Sequence, residues 1–269
     1  MAAALSEQLA ELEKRSGGRL GVAVLDTATG RRFGYRGDER FPMCSTFKAL
    51  LAAAVLARVD QGKENLDRRI TYGKEDLVDY SPVTEKHVGD GMTVAELCEA
   101  AITYSDNTAA NLLLEALGGP AALTAFLRSI GDNVTRLDRW EPELNTAAPG
   151  DPRDTTTPAA MAATLRTLLL GDVLSPASRQ QLVDWLIANK TGDKRLRAGL
   201  PADDRVGDKT GTGEHGTTND IAVIWPPNRA PILVAVYLTE SQVDADARDA
   251  VIAEVARLVV AAWHHHHHH

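Results

Sequence analysis

Cysteine is scarce in this chain, at two residues, and aromatics make up only 5% of it. Two cysteines, Cys44 and Cys98, cannot build a disulfide framework. With His87 and His215 they show no recurring metal-ligand spacing, so neither a structural metal nor a cofactor is expected. Positive charge is also short: 29 Lys and Arg stand against 37 Asp and Glu, a formal net charge of −8. A nucleic-acid partner is therefore not expected, because phosphate-backbone binders need a basic surface. Long apolar runs are missing as well. The longest, Ala49 to Ala57, is followed by Arg58 and Asp60 and falls far below the roughly 20 residues that cross a bilayer, so no membrane contact is expected. Met1-Ala2-Ala3-Ala4 runs straight into Leu5-Ser6-Glu7 without the basic flank, apolar core and cleavage site of a signal peptide. The chain is thus expected to stay where it is made.

What remains, once His264 to His269 are set aside as a purification tag, is an ordinary globular composition, 44% hydrophobic and 25% charged, with enough chain for one large core or two lobes. Leu5, Leu9 and Leu12 follow a helical period that Ser16-Gly17-Gly18 ends. Leu20 to Leu25 and Arg31 to Tyr35, joined by Asp26-Thr27-Ala28-Thr29-Gly30, read as a hairpin. Helical windows follow at 45–60, 94–103, 107–117, 120–130, 158–169 and 176–190. Then Arg205 to Lys209, Asn219 to Trp225 and Ile232 to Leu238 read as strands, with a turn at Pro226-Pro227-Asn228, and Val251 to Val260 closes as a helix. Strands at both ends with helices between them predict one sheet built from both termini, flanked by terminal helices, with a helical insertion as second lobe. A cleft between the lobes is the default site for a small-molecule substrate. A monomer is expected.

Several residue groups can do chemistry. Ser45-Thr46-Phe47-Lys48 opens a helix, and the three-residue spacing puts hydroxyl and amine on one face of its first turn. The helix N-terminus offers positive potential to an oxyanion, and Lys48 can take the hydroxyl proton; the plainer reading is a helix-starting serine with a solvated lysine. Ser105-Asp106-Asn107 lies between two helical windows, where it also makes good capping chemistry. Lys-Thr-Gly occurs twice. Lys190-Thr191-Gly192 follows a helix and reads as its C-cap, whereas Lys209-Thr210-Gly211 sits inside an alternating strand that can line a cleft. Glu141-Pro142-Glu143-Leu144-Asn145 belongs to an irregular stretch, about 136–154, of a length that is usually functional or disordered. Arg139 with Asp154 could pin that loop, and a carboxylate held there could activate water.

Taken in order, Ser45-x-x-Lys48, Ser105-Asp106-Asn107, Glu141-x-x-Leu144-Asn145 and Lys209-Thr210-Gly211 resemble the signature set of class A serine β-lactamases over nearly all of residues 5–263. The resemblance implies an α+β, sandwich-like fold of the β-lactamase and transpeptidase type. It would have a five-stranded antiparallel sheet with terminal helices (1–43 and 196–263), an all-helical lobe (44–195) and an omega-type loop at about 136–154. It implies that Ser45 attacks the lactam carbonyl of penicillins and cephalosporins, with the Ser45 and Thr212 N–H groups holding the oxyanion. Lys48 and Glu141 are the alternative acylation bases, and Glu141 with Asn145 positions the hydrolytic water. Ser105 relays a proton to the leaving nitrogen, Asn107 contacts the substrate side chain, and Lys209 and Thr210, with Gly211 behind them, face its carboxylate. Tyr80 matches an aromatic gatepost, Arg195 adds positive charge, and the bond before Pro142 is cis. Relatives are periplasmic or secreted. The rival is a penicillin-binding or sensor domain that keeps the acyl adduct, against which Glu141 and Asn145 argue.

One position departs from the family. Asp204 stands where relatives usually carry a tryptophan, a change that costs about 3–5 kcal/mol where the indole is buried. Trp263, at the end of the last helix, is expected against the same end of the sheet. A carboxylate in such an apolar slot becomes a stronger base, and a flat wall favours aromatic ligands. The pair resembles engineered Kemp eliminases made on ancestral β-lactamase scaffolds, which implies Asp204 as general base and Trp263 as stacking wall for a benzisoxazole. Cys44 and Cys98 are expected as buried free thiols, with Gly213 where some relatives place a cysteine partner, and His215 is expected to face solvent.

Overall fold

The computed structural model describes residues 2–267, with side chains through Trp263. Its strands are β1 (Arg19–Asp26), β2 (Arg32–Tyr35), β3 (Phe41–Pro42), β4 (Arg69–Ile70), β5 (Met92–Thr93), β6 (Thr155–Thr156), β7 (Arg205–Gly213), β8 (Thr217–Trp225) and β9 (Ile232–Thr239). The helices are α1 (Ala2–Ser16), α2 (Phe47–Asp60), α3 (Val94–Thr103), α4 (Asn107–Leu117), α5 (Pro120–Ser129), α6 (Pro158–Leu170), α7 (Pro176–Ile187) and α8 (Ala245–His267).

Five strands form one antiparallel sheet in the order β2-β1-β9-β8-β7. β1 and β9 read as unbroken apolar runs because helices cover both faces, and period two divides their residues between two cores. Leu20, Val22 and Val24 face α1 and α8, packing with Leu5, Leu9, Val255 and Trp263. Ala23 and Leu25 face the other way, into the larger core shared with α2 and α6. That larger core is organised by α2, whose residues Phe47 to Ala57 are all buried; a helix apolar on every side belongs in the middle of a helical layer.

Helix ends follow their capping chemistry. Thr93 and Glu96 form a reciprocal capping box on α3, and Asp106 caps α4 by accepting from the Ala109 N–H at 2.9 Å. Several boundaries differ from expectation, with α2 starting at Phe47 and α8 six residues early at Ala245. α8 runs past Trp263 into the histidine run, to His267. α7 ends at Ile187 and is capped by Ala188, so Lys190-Thr191-Gly192 lies beyond the cap and is not its C-cap.

Candidate active site and a second pocket

Ser45 sits in a single 3-10 turn, Cys44–Thr46, immediately before α2 rather than within it. β7 runs directly against this turn. A Cβ at Gly211 would stand 2.7 Å from the Met43 carbonyl oxygen and 3.0 Å from the Ser45 nitrogen, so only glycine lets the strand approach the serine so closely.

At the second residue of α2, about one turn beyond Ser45, the fully buried Lys48 donates to the Ser105 carbonyl at 2.8 Å, Ser105 Oγ at 3.2 Å and Asn107 Oδ1 at 2.7 Å. It stands 3.5 Å from Glu141 Oε1. Burial lowers the Lys48 ammonium below its ordinary value, with Glu141 and Asp106 pulling the other way. Lys209 Nζ reaches the same Ser105 Oγ from β7 at 3.1 Å and donates to the Thr210 carbonyl at 2.8 Å. Burial and then the Lys48 charge hold it well below a free lysine. Both lone pairs of Ser105 Oγ thus accept from lysine amines, which leaves its proton for a third partner in the cleft.

Glu141 is 2% exposed, and its chain is tied to α4 by Asn111, which bonds the Glu141 N–H and carbonyl at 2.9 and 3.0 Å. The Glu141-Pro142 peptide is cis. Glu141 Oε2 accepts from Asn145 Nδ2 at 2.7 Å. Among the described residues Glu141 Oε1 and Asn145 Oδ1 have no hydrogen-bond donor. Arg139 and Asp154 pair at 2.7 Å and pin the loop, as expected.

On the opposite wall Arg195 donates to the Gly211 and Asn219 carbonyls and to Thr212 Oγ1 at 3.0, 2.9 and 2.6 Å, and pairs with Asp249 of α8 at 2.8 Å. The cleft, about 290 Å³, gathers Ser45, Ser105, Asn107, Asn145, Arg195, Thr210, Gly211 and Thr212, with Tyr80, 57% exposed, at its rim. Thr191 lines it too, bonded to Thr210 through hydroxyls 2.6 Å apart. That residue was hidden by the reading of its tripeptide as a helix cap; the signal available was the duplicated Lys-Thr-Gly. Cys44 and Cys98 are free and buried, with both thiols pushed up by burial. A Cβ at Gly213 would lie 2.6 Å from Cys44 Sγ. His215 is exposed, with Nδ1 2.7 Å from the Thr146 carbonyl oxygen.

A second and larger cavity, about 410 Å³, opens at the far end of β7. Asp204 precedes the strand at its edge, and Ile224, Ile232, Val259 and Trp263 supply apolar wall. Trp263 is 3% exposed, whereas Asp204 is half-buried. Burial, and then the Asp203 charge, raise the Asp204 carboxyl above its usual range.

Residues 4–263 match the model of the β-lactamase enzyme family, and the chain belongs to that family, in its class A. It is 57% identical to β-lactamase OXY-1 of Klebsiella oxytoca over 95% of this chain and 88% of that one. It is 56% identical to a carbapenem-hydrolysing β-lactamase, KPC, from the same organism, over 95% and 88%. Among solved structures it is 99% identical to the last common ancestor of Gram-negative bacteria class A β-lactamase (GNCA4), with a TM-score of 0.97 over 97% of this chain and 100% of that one. A variant of that ancestor with tryptophan-to-aspartate and phenylalanine-to-tryptophan exchanges, bound to the transition-state analogue 5(6)-nitrobenzotriazole, is 98% identical with a TM-score of 0.98 over 98% and 100%.

Proposed function

We propose that the cleft hydrolyses penicillins and cephalosporins through an acyl-enzyme on Ser45, at the junction of a helical lobe (44–195) and a discontinuous lobe (1–43 and 196–263). Its location by family analogy is periplasmic or secreted. The observation that carries this reading is Ser105 Oγ held between Lys48 and Lys209. Ser45 adds to the lactam carbonyl and its proton passes to Lys48 or Glu141. The oxyanion is met by the Ser45 and Thr212 N–H groups, and the Ser105 proton goes to the departing nitrogen. Thr210, Arg195 and Lys209 face the substrate carboxylate, Asn107 and Tyr80 its side chain. Glu141 Oε1, 3.5 Å from Lys48 Nζ and otherwise without a protein donor, and Asn145 Oδ1, buried without one, are acceptors suited to a hydrolytic water. They separate this reading from a sensor domain that keeps its adduct. Intact mass after brief penicillin exposure tests it: the expected result is a short-lived adduct with turnover of a chromogenic cephalosporin, and a long-lived adduct would overturn it.

A second reading is favoured by a specific observation, the separate apolar cavity shared by Asp204 and Trp263. We infer that these residues are the aspartate and tryptophan of the two exchanges in the variant that binds 5(6)-nitrobenzotriazole, and that the cavity carries out Kemp elimination. Asp204 takes the carbon-bound proton of a benzisoxazole, the C–H electron pair forms the nitrile, and the N–O bond breaks to leave a phenolate. Trp263 stacks on the ring. Asp204→Asn is expected to lower ring opening of nitrobenzisoxazole about a hundredfold or more; retained activity would overturn the assignment.

A further inference from the structure

Asp26 closes β1 on the face that carries Leu20, Val22 and Val24, and it is fully buried. A carboxylate there is costly unless it is paired and hydrogen-bonded. Two of its partners are walls of the second cavity. The Trp263 indole Nε1–H donates to Asp26 Oδ2 at 3.1 Å, and Arg229 Nη2 donates to the same oxygen at 2.6 Å. The Ala28 N–H holds the other oxygen at 3.0 Å. Burial alone would raise the Asp26 carboxyl, but these donors bring it below its ordinary value. Across the sheet Asp26 is paired in register with Ile232, another wall residue, and the Arg31 guanidinium lies 5.7 Å from the centre of the Trp263 ring.

We propose that Asp26 is a positioning residue of the second site, fixing the plane of the Trp263 indole, and with it Arg229, so that the aromatic wall is set before a ligand arrives. The proposal rests on the reading of Asp204 and Trp263 as an eliminase pair. A phenylalanine at 263 has no N–H for the carboxylate, so tryptophan brings a stacking surface and the donor that orients it. A wall held by a charge-assisted hydrogen bond keeps one rotamer, and binding then need not order it.

The test is a double-mutant cycle of Asp26→Asn and Trp263→Phe, reading the Kd of 5(6)-nitrobenzotriazole by calorimetry and the split of elimination into kcat and KM. Hydrolysis of a cephalosporin serves as the folding control. Asp26→Asn is expected to weaken binding roughly tenfold, with KM rising more than kcat falls, and the double variant to bind no more weakly than Trp263→Phe alone. An unchanged Kd, or losses that multiply, would overturn the proposal. Should Asp26→Asn fail to fold, Asp26→Glu, which keeps the charge but displaces the carboxylate, decides: weaker binding of the probe supports the anchor, and an unchanged Kd overturns it. Binding is scored apart from turnover, so an unaltered protein that binds the probe without elimination counts against the Asp204 reading and not against Asp26.

Discussion

The two cavities of this protein are built on opposite plans. At the serine cleft nearly every side chain is held by others: Ser105 Oγ between two lysines, Glu141 by Asn145, Arg195 by three acceptors and Asp249. The second cavity is larger, about 410 Å³ against 290 Å³, and mostly apolar, with one half-buried carboxylate and one indole bonded to Asp26. Preorganised polar groups give the first site its power, because dipoles fixed in a dry site need no rearrangement as charge develops. The second, as proposed, would rely on burial to strengthen a base and on shape to hold a flat ligand. The networked site should therefore lose far more from a single change.

Ser45→Ala is the largest break. Chromogenic cephalosporin turnover should fall roughly a hundred-thousandfold, since a nucleophile acting within a unit carries most of its rate, while ring opening of a benzisoxazole at the other cavity persists. Loss of both activities together would show that the cavities are not separate sites. Glu141→Gln should cost about a thousandfold in steady-state turnover, with the acyl-enzyme accumulating in the mass spectrum. An equal loss of acylation in single-turnover kinetics would move the main task of Glu141 to the first step.

This contrast explains what the sequence made legible. The five strands of the main sheet and the helices were readable from apolar runs, turn residues and helical period, with α2 announcing itself as Ala49 to Ala57, whereas the two-residue strands β3 to β6 are too short to leave a pattern. The serine cleft was readable because its residues come as short motifs whose spacing is fixed by one helical turn or one strand edge. Thr191 escaped because its tripeptide follows a helix and fits a cap equally well. Asp26 was invisible for another reason: its partner Trp263 lies 237 residues away, and a lone aspartate before a turn is ordinary turn chemistry. Asp204 drew attention only through its departure from the family.

A smaller effect tests the base. With Asp204 as the proposed base, kcat/KM for elimination should rise with pH and level off once that group is deprotonated. Burial and the Asp203 charge raise this group, so the midpoint should lie above the ordinary aspartate value of about 3.9. Asp203→Asn removes a like charge that disfavours ionisation and should shift the midpoint down with elimination retained, whereas loss of elimination in this variant would make Asp203 itself the base.

The smallest expected effect concerns communication between the cavities. Asp204 stands at one end of β7 and Thr210 with Gly211 near the other, so six residues of strand, roughly 20 Å at about 3.3 Å each, separate them. Sites that far apart without shared partners usually act independently. The second cavity is already open, so filling it need not displace the strand. Saturating the protein with 5(6)-nitrobenzotriazole should then change cephalosporin kcat/KM by less than about twofold. A larger change would point to a route off the strand. α8 supplies one, because it carries Trp263 at the second cavity and Asp249, whose carboxylate holds Arg195 at the first at 2.8 Å. Asp249→Asn would then weaken the ligand's effect on hydrolysis while leaving ligand affinity intact, and coupling that survived Asp249→Asn would return the signal to β7.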